Sequence, residues 1–144
     1  MKNLKDVKEA GSEKKARKVA YASIESAPVL QGRRKFFTYR DLGVSEASGG
    51  TISAQVHQTI KGLPEPTGWH YHTCNDQFIY VLKGWVDLEF ETGEKHHIKA
   101  GNSCFIPGGI RHNETDMSQD YEVLEVHTPG GPMGTVACDP PGGA

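Results

Sequence analysis

The sequence predicts an all-β barrel built as one domain, and three observations lead there. Seventeen glycines and eight prolines among 144 residues cut the chain into short runs, as tight-turned β structures require. Several of those runs alternate polar and apolar residues with a period of two. With 36% hydrophobic content, a chain of this length suits a single core.

Residues 1–33 read as an N-terminal extension. Ser12 to Ser26 is consistent with a short helix, with Ser12 as N-cap and Lys14, Lys15, Arg17 and Lys18 on a polar face. Residues 34–129 carry the strands. The first two fall at about 34–41 and 51–60, where Thr51, Ser53, Gln55 and His57 alternate with Ile52, Ala54, Val56 and Gln58. A loop from Gly62 to Gly68 then leads into His70-Tyr71-His72. In Gln77 to Leu82 both faces are apolar: Ile79 and Val81 share one with Gln77, and Phe78, Tyr80 and Leu82 share the other. That strand is expected to be buried on both sides, its outer cover being the N-terminal segment or another subunit.

Trp85 to Glu91 and Lys95 to Ile98 form a hairpin around Thr92-Gly93. Its Val86, Leu88 and Phe90 make a dry face and its Asp87, Glu89 and Glu91 a wet one. Trp85, Phe90 and Phe105 suit either a pocket lining or the core, with core the default. Ser103 to Ile106 runs into the Pro107-Gly108-Gly109 turn, and Tyr121 to His127 makes the last strand. Residues 130–144, rich in Gly and Pro, read as a loose tail.

The chemistry concentrates in two stretches. An H-x-H pair on a strand projects both imidazoles from one face, so His70 and His72 point together. His112, some forty residues later, has to come from another strand, so the three meet only in a folded sheet. A metal site in a cavity is the reading this pattern supports. His57, His96, His97 and His127 match no such pattern and are read as structural, with His127 the one closest to the cavity.

These stretches resemble the two signature motifs of the cupin superfamily. His70, His72 and His112 stand at the family's three histidine ligand positions, with Gly84, Gly101, Pro107 and Gly109 at the matching intervals. Pro64 replaces the glycine before the H-x-H, and Asp116 stands at the closing asparagine. The consequential departure is Gln77, which occupies the place of the usual glutamate ligand. Six residues separate Gln77 from Gly84, as the motif requires, so Asp76 is expected to point away. The resemblance implies a cupin jelly-roll β-barrel that often dimerises, a homodimer here, with His70, His72, Gln77 and His112 around a divalent transition metal.

Three neutral imidazoles suit zinc, iron, nickel or copper, and manganese also occurs in the superfamily. Gln77 offers only a neutral carbonyl, which leaves the metal's charge uncancelled and favours a small anionic ligand. An amide is also no proton acceptor near neutral pH, so a base has to come from elsewhere, for example His127. Three readings follow: a dioxygenase-like enzyme with ferrous iron and a chelating enolate, a binding protein for a small metabolite, and a non-oxidative isomerase or decarboxylase. Loss of the carboxylate favours the first two.

Residues 1–18 carry seven Lys or Arg against Asp6, Glu9 and Glu13, leaving the remainder at −6. Acids break up this run and no aromatic precedes Tyr21, so a nucleic-acid interface is not expected. Nor is a membrane role, since no stretch reaches the roughly 20 apolar residues of a span. Cys74, Cys104 and Cys138 make no disulfide framework and suit a reducing, cytoplasmic setting.

Overall fold

A computed structural model of the chain describes residues 16–31 and 34–142. Its regular structure is one helical turn, α1 (Val44–Ala47), and short strands. These are β1 (Val29–Gln31), β2 (Phe37–Asp41), β3 (Ser53–Thr59), β4 (His70–His72), β5 (Asp76–Lys83) and β6 (Trp85–Phe90). There follow β7 (Lys95–Lys99), β8 (Ser103–Pro107), β9 (His112–Met117), β10 (Glu122–Thr128) and β11 (Thr135–Ala137). Among the described residues no helix is long and apolar enough to cross a membrane.

The strands form two antiparallel sheets, ordered β1-β2-β3-β10-β5-β8 and β11-β4-β9-β6-β7. From β3 onward the chain passes back and forth between them, which is the jelly-roll topology. The inward residues come from the expected alternation. Val86, Leu88 and Phe90 of β6 are buried against Ile79 and Val81 of β5, Val123 of β10 and Ile106 of β8. Each such side chain contributes about 1.5–3 kcal/mol by leaving water.

Two tight turns explain glycines beside the histidine strands. Gly84, between β5 and β6, has a φ of 68°, and a side chain there would come within 2.0 Å of Ser118 Oγ. At Gly108 a Cβ would sit 1.7 Å from the Cys74 carbonyl oxygen, so only glycine lets the β8–β9 turn close on the loop after β4.

Three expectations are corrected, at residues 16–26, at Phe105 and at residues 135–137. No helix forms over residues 16–26; residues 12–15 lie outside the described residues. Ser23 and Ser26 instead exchange side-chain bonds with each other's backbone N–H at 3.0 Å, an alternative to helical bonding that serines favour. The segment is tied to α1 through Lys18 N–H and the Ala47 carbonyl at 2.9 Å.

The outer face of β5 is not covered among the described residues. Phe78, Tyr80 and Leu82 are 38–41% exposed, and Phe105, outside the core and not lining the histidine cavity, is 58% exposed on the neighbouring β8. Residues 135–137 are no loose tail, since β11 pairs with β4, Thr135 opposite His72. Cys138 N–H to the Trp69 carbonyl, at 3.0 Å, continues that attachment. A short run of β-formers among glycines and prolines carries too little pattern to announce an edge strand. Finally, β1 adds an edge strand to β2 that the sequence did not suggest.

Candidate metal centre

His70 and His112 are register partners across β4 and β9, and His72 follows two residues along β4. All three are at most 5% exposed and point into the barrel. Their ring centroids lie 4.5 to 5.2 Å apart. One ring nitrogen from each stands within 4.8 Å of the other two.

The outer nitrogens are occupied. His70 Nδ1 donates to the Gly68 carbonyl at 2.7 Å and His112 Nδ1 to the Ile110 carbonyl at 3.0 Å. A carbonyl only accepts, so these bonds put the proton on Nδ1 and leave the Nε2 lone pair facing the cavity. His72 Nδ1 bonds the Thr135 hydroxyl at 3.0 Å, the contribution of β11. Burial holds His112 below the ordinary imidazole range, and the bond to Ile110 opposes that shift only in part. The neutral ring is therefore the native form, and it is the ligating form.

Gln77 faces this cluster from β5 in the opposite sheet and is 4% exposed. Its Nε2 donates to Glu125 Oε2 at 3.0 Å, while its Oε1 is buried with no hydrogen-bond partner. A buried carbonyl oxygen left without a donor is costly unless something positive meets it. Three inward imidazoles with fixed outer nitrogens and one such oxygen fit a divalent transition ion, whose bonds to nitrogen run about 2.0–2.1 Å, after small ring movements.

The wall behind Gln77 is polar in a way the sequence pattern did not reveal. Glu125 pairs with Ile79 on β5 and with Gln55 on β3, so Gln77 and His57 are its diagonal neighbours on the same inward face. His57 Nε2 lies 3.7 Å from Glu125 Oε1 and 3.1 Å from Gln55 Oε1. Glu114, two residues after His112 on β9, brings Oε1 to 3.9 Å from His70 Nε2. Tyr121 and Arg34 also line the cavity, which measures about 40 Å³, room for an ion and one or two waters. Burial first, then Glu114 and Glu125, push the Tyr121 hydroxyl up, so it stays protonated.

The four expected metal residues, His70, His72, Gln77 and His112, thus line one cavity. Asp76 is exposed, and Asp116 turns its carboxylate back to the Met117 N–H at 2.9 Å. His127 is buried but does not line the cavity; its Nδ1 donates to the Pro129 carbonyl at 3.0 Å. His57, expected to be structural only, does line it. Phe90 packs in the core with its ring 5.9 Å from that of His112, and Trp85 stacks on His97 at the surface. His96 and His97 pair there with Glu94 and Asp87. Strand alternation from His112 gives Glu114, and alternation along β10 gives Glu125. Thr135 and Arg34 left no signal in the sequence.

Comparison with known proteins agrees with this geometry. The profile of the family described as Cupin domain matches residues 56–127, half of the chain. An uncharacterised protein of Aquifex aeolicus (strain VF5) is 38% identical over 60 residues, 42% of this chain and 49% of its own length. The chain thus spans about half the length of the curated relative it matches. Among solved structures, KdgF from Halomonas sp. superposes with a TM-score of 0.64 at 19% identity, covering 78% of this chain and 96% of its own. The polyketide cyclase RemF from Streptomyces resistomycificus gives 0.64 at 22%, covering 85% and 88%. A Streptomyces nucleoside dehydratase gives 0.60 at 12%, covering 85% and 93%. At these identities the likeness is one of fold.

Proposed function

The chain belongs to the cupin family, and from that premise we propose a metal-dependent enzyme of dioxygenase-like type that acts on a small chelating anion. His70, His72 and His112 would hold the metal, with the carbonyl oxygen of Gln77 as fourth protein donor. The observation that carries this reading is the outward tying of all three Nδ1 atoms, which turns the other ring nitrogens inward, together with a buried, unbonded Gln77 Oε1 in the same cavity. When bound, the metal supplies Lewis acidity toward a chelating oxygen and, as iron, one-electron redox chemistry.

The protein's own part is to orient and select. With no carboxylate among the donors, the site favours an anionic ligand over a neutral one. Arg34 lines both the inner cavity and an outer groove of about 290 Å³ that it shares with His70, Thr67, Trp69 and Thr135. A guanidinium at that junction suits a carboxylate whose other end reaches inward. Ile79, Val86, Leu88 and Val123 close the far side and limit water there.

A second reading is non-oxidative chemistry, and the structure favours it more than the sequence did. Glu114 and Glu125 place two carboxylates in the cavity, where Gln77 alone had suggested no base. The cyclase and the dehydratase of similar fold are consistent with it. Oxygen uptake by the iron-loaded protein with small diketones and enolisable acids separates the two. Uptake supports the first reading, whereas turnover of such acids by the zinc-loaded protein without oxygen supports the second. Binding without turnover under either metal would leave a metabolite-binding cupin.

The same reading takes the chain as a homodimer through the outer face of β5 and β8, where Phe78, Tyr80, Leu82 and Phe105 are exposed. A single-chain mass by light scattering would remove it. Cys104 and Cys138 are free thiols, which accords with a cytoplasmic setting.

A further inference from the structure

We infer that Glu125 is a positioning residue for the metal: it holds the Gln77 amide so that its oxygen, and not its NH₂, faces the histidines. The inference rests on the reading of Gln77 as a ligand and goes beyond it. An amide in a cavity can present either end, since carbonyl and NH₂ have nearly the same shape. Only the carbonyl can donate electrons to a cation. Something has to choose between the two orientations.

Glu125 makes that choice by chemistry. Its carboxylate accepts the Gln77 Nε2–H at 3.0 Å, and an acceptor-only group cannot satisfy the flipped amide, whose oxygen would face it. Both residues are nearly fully buried, at 4% and 6% exposure, so water does not compete for the bond. Geometry adds to this, because the diagonal register of β5 and β10 brings the two long side chains together from one inward face. His57 flanks Glu125 from the β3 side, with Nε2 3.7 Å from its Oε1. The carboxylate usual at position 77 in this fold therefore stands one strand over, where it acts through the amide.

Cobalt(II) is the probe, because its visible absorption reports the donor set, and titration gives its affinity. Gln77→Leu removes the oxygen and is expected to shift the band and weaken binding by about 10-fold or more. Glu125→Asp keeps the charge but withdraws the acceptor; it should give the band and affinity of Gln77→Leu, and the double variant should be no weaker. Glu125→Gln offers the amide an NH₂ as readily as an oxygen, so it no longer enforces the choice and should lose part of the native affinity and band.

A native band in Glu125→Asp, or additive losses in the double variant, overturns the positioning role while leaving Gln77 as a ligand. An unchanged band in Gln77→Leu overturns the ligand reading and this one with it. A second measurement needs no variant: the Gln77 side-chain amide proton, followed by NMR, should keep its carboxylate-bonded shift when zinc is added. Its loss on loading would also overturn the inference.

Discussion

The two walls of the cavity are built by different rules. On the five-stranded wall, each histidine is fixed from outside by one bond, to the Gly68 or Ile110 carbonyl or to Thr135. On the six-stranded wall the polar groups pair from within, Gln77 donating to Glu125 and His57 to Gln55, with the Gln77 oxygen left over. The first arrangement fixes the tautomer and frees an inward lone pair at His70 and His112, and it orients the ring of His72. The second offers the cavity one neutral oxygen and keeps its charge behind it. The histidine wall is a donor set, and the opposite wall adjusts what that donor set can hold.

If that division is right, the largest effect comes from breaking the histidine wall. His112→Ala removes one of three nitrogens and should weaken zinc binding by at least about 100-fold, read by calorimetry, because the remaining donors cannot close the site. The folded β signature in circular dichroism should persist. Affinity within tenfold of the parent would mean that His112 is not a ligand.

A smaller effect is expected one layer out. Thr135→Val keeps the shape of β11 but leaves His72 Nδ1 without its hydroxyl partner, 3.0 Å away in the parent. Losses of about 10- to 100-fold accompany such changes behind metal-bound histidines, and the low end is expected here, since Thr135 is on an edge strand. Unchanged zinc affinity would show that β11 borders the site without tuning it.

The same division explains what the sequence made legible. The all-β character and the H-x-H pair depend on strand period and on glycine at tight turns, which are local, whereas the jelly roll and the place of His112 were legible through the resemblance of the two motifs to the cupin superfamily. Gly84 and the H-x-H pair could be read without knowing any neighbour. Glu125 could not, because its role comes from a diagonal across β5, β10 and β3, and register between distant strands is not written in either strand alone. Thr135 was hidden for a related reason: three residues pairing with β4 make an edge strand too short to show alternation. Over residues 16–26 the error was of another kind, since the polar spacing of a helix was present but Ser23 and Ser26 took up the backbone donors.

Acid should separate the walls next. Burial lowers the His112 pKa, so the folded state resists protonation there, whereas the unfolded chain takes a proton near the usual value of about 6.5. Between the two values the unfolded state binds more protons, so stability of the metal-free protein falls as pH drops through that window. Urea midpoints measured from pH 7.5 downward should show the fall, and His112→Gln should flatten it. An equal slope in the variant would place the acid sensitivity elsewhere.

The smallest expected effect lies outside the cavity, at the residue next to His112. Glu91 accepts from the Arg111 backbone N–H at 2.8 Å and from its guanidinium at 3.1 and 3.2 Å, so it pins the start of β9 to the end of β6. The backbone bond from Arg111 is the main reason its carboxyl lies below the usual range, and the guanidinium adds to it. Because the pKa is lowered on folding, the contribution is present above the ordinary carboxylate range and disappears as pH falls through the lowered value. The pair is solvent-exposed, so screening keeps it to roughly 1 kcal/mol or less. Glu91→Gln should therefore lower the urea midpoint slightly at pH 7 and progressively less as pH falls below the ordinary carboxylate range, with zinc affinity unchanged. A loss of zinc affinity would extend the histidine wall's support to the barrel surface, because only a shift of His112 itself could connect the two.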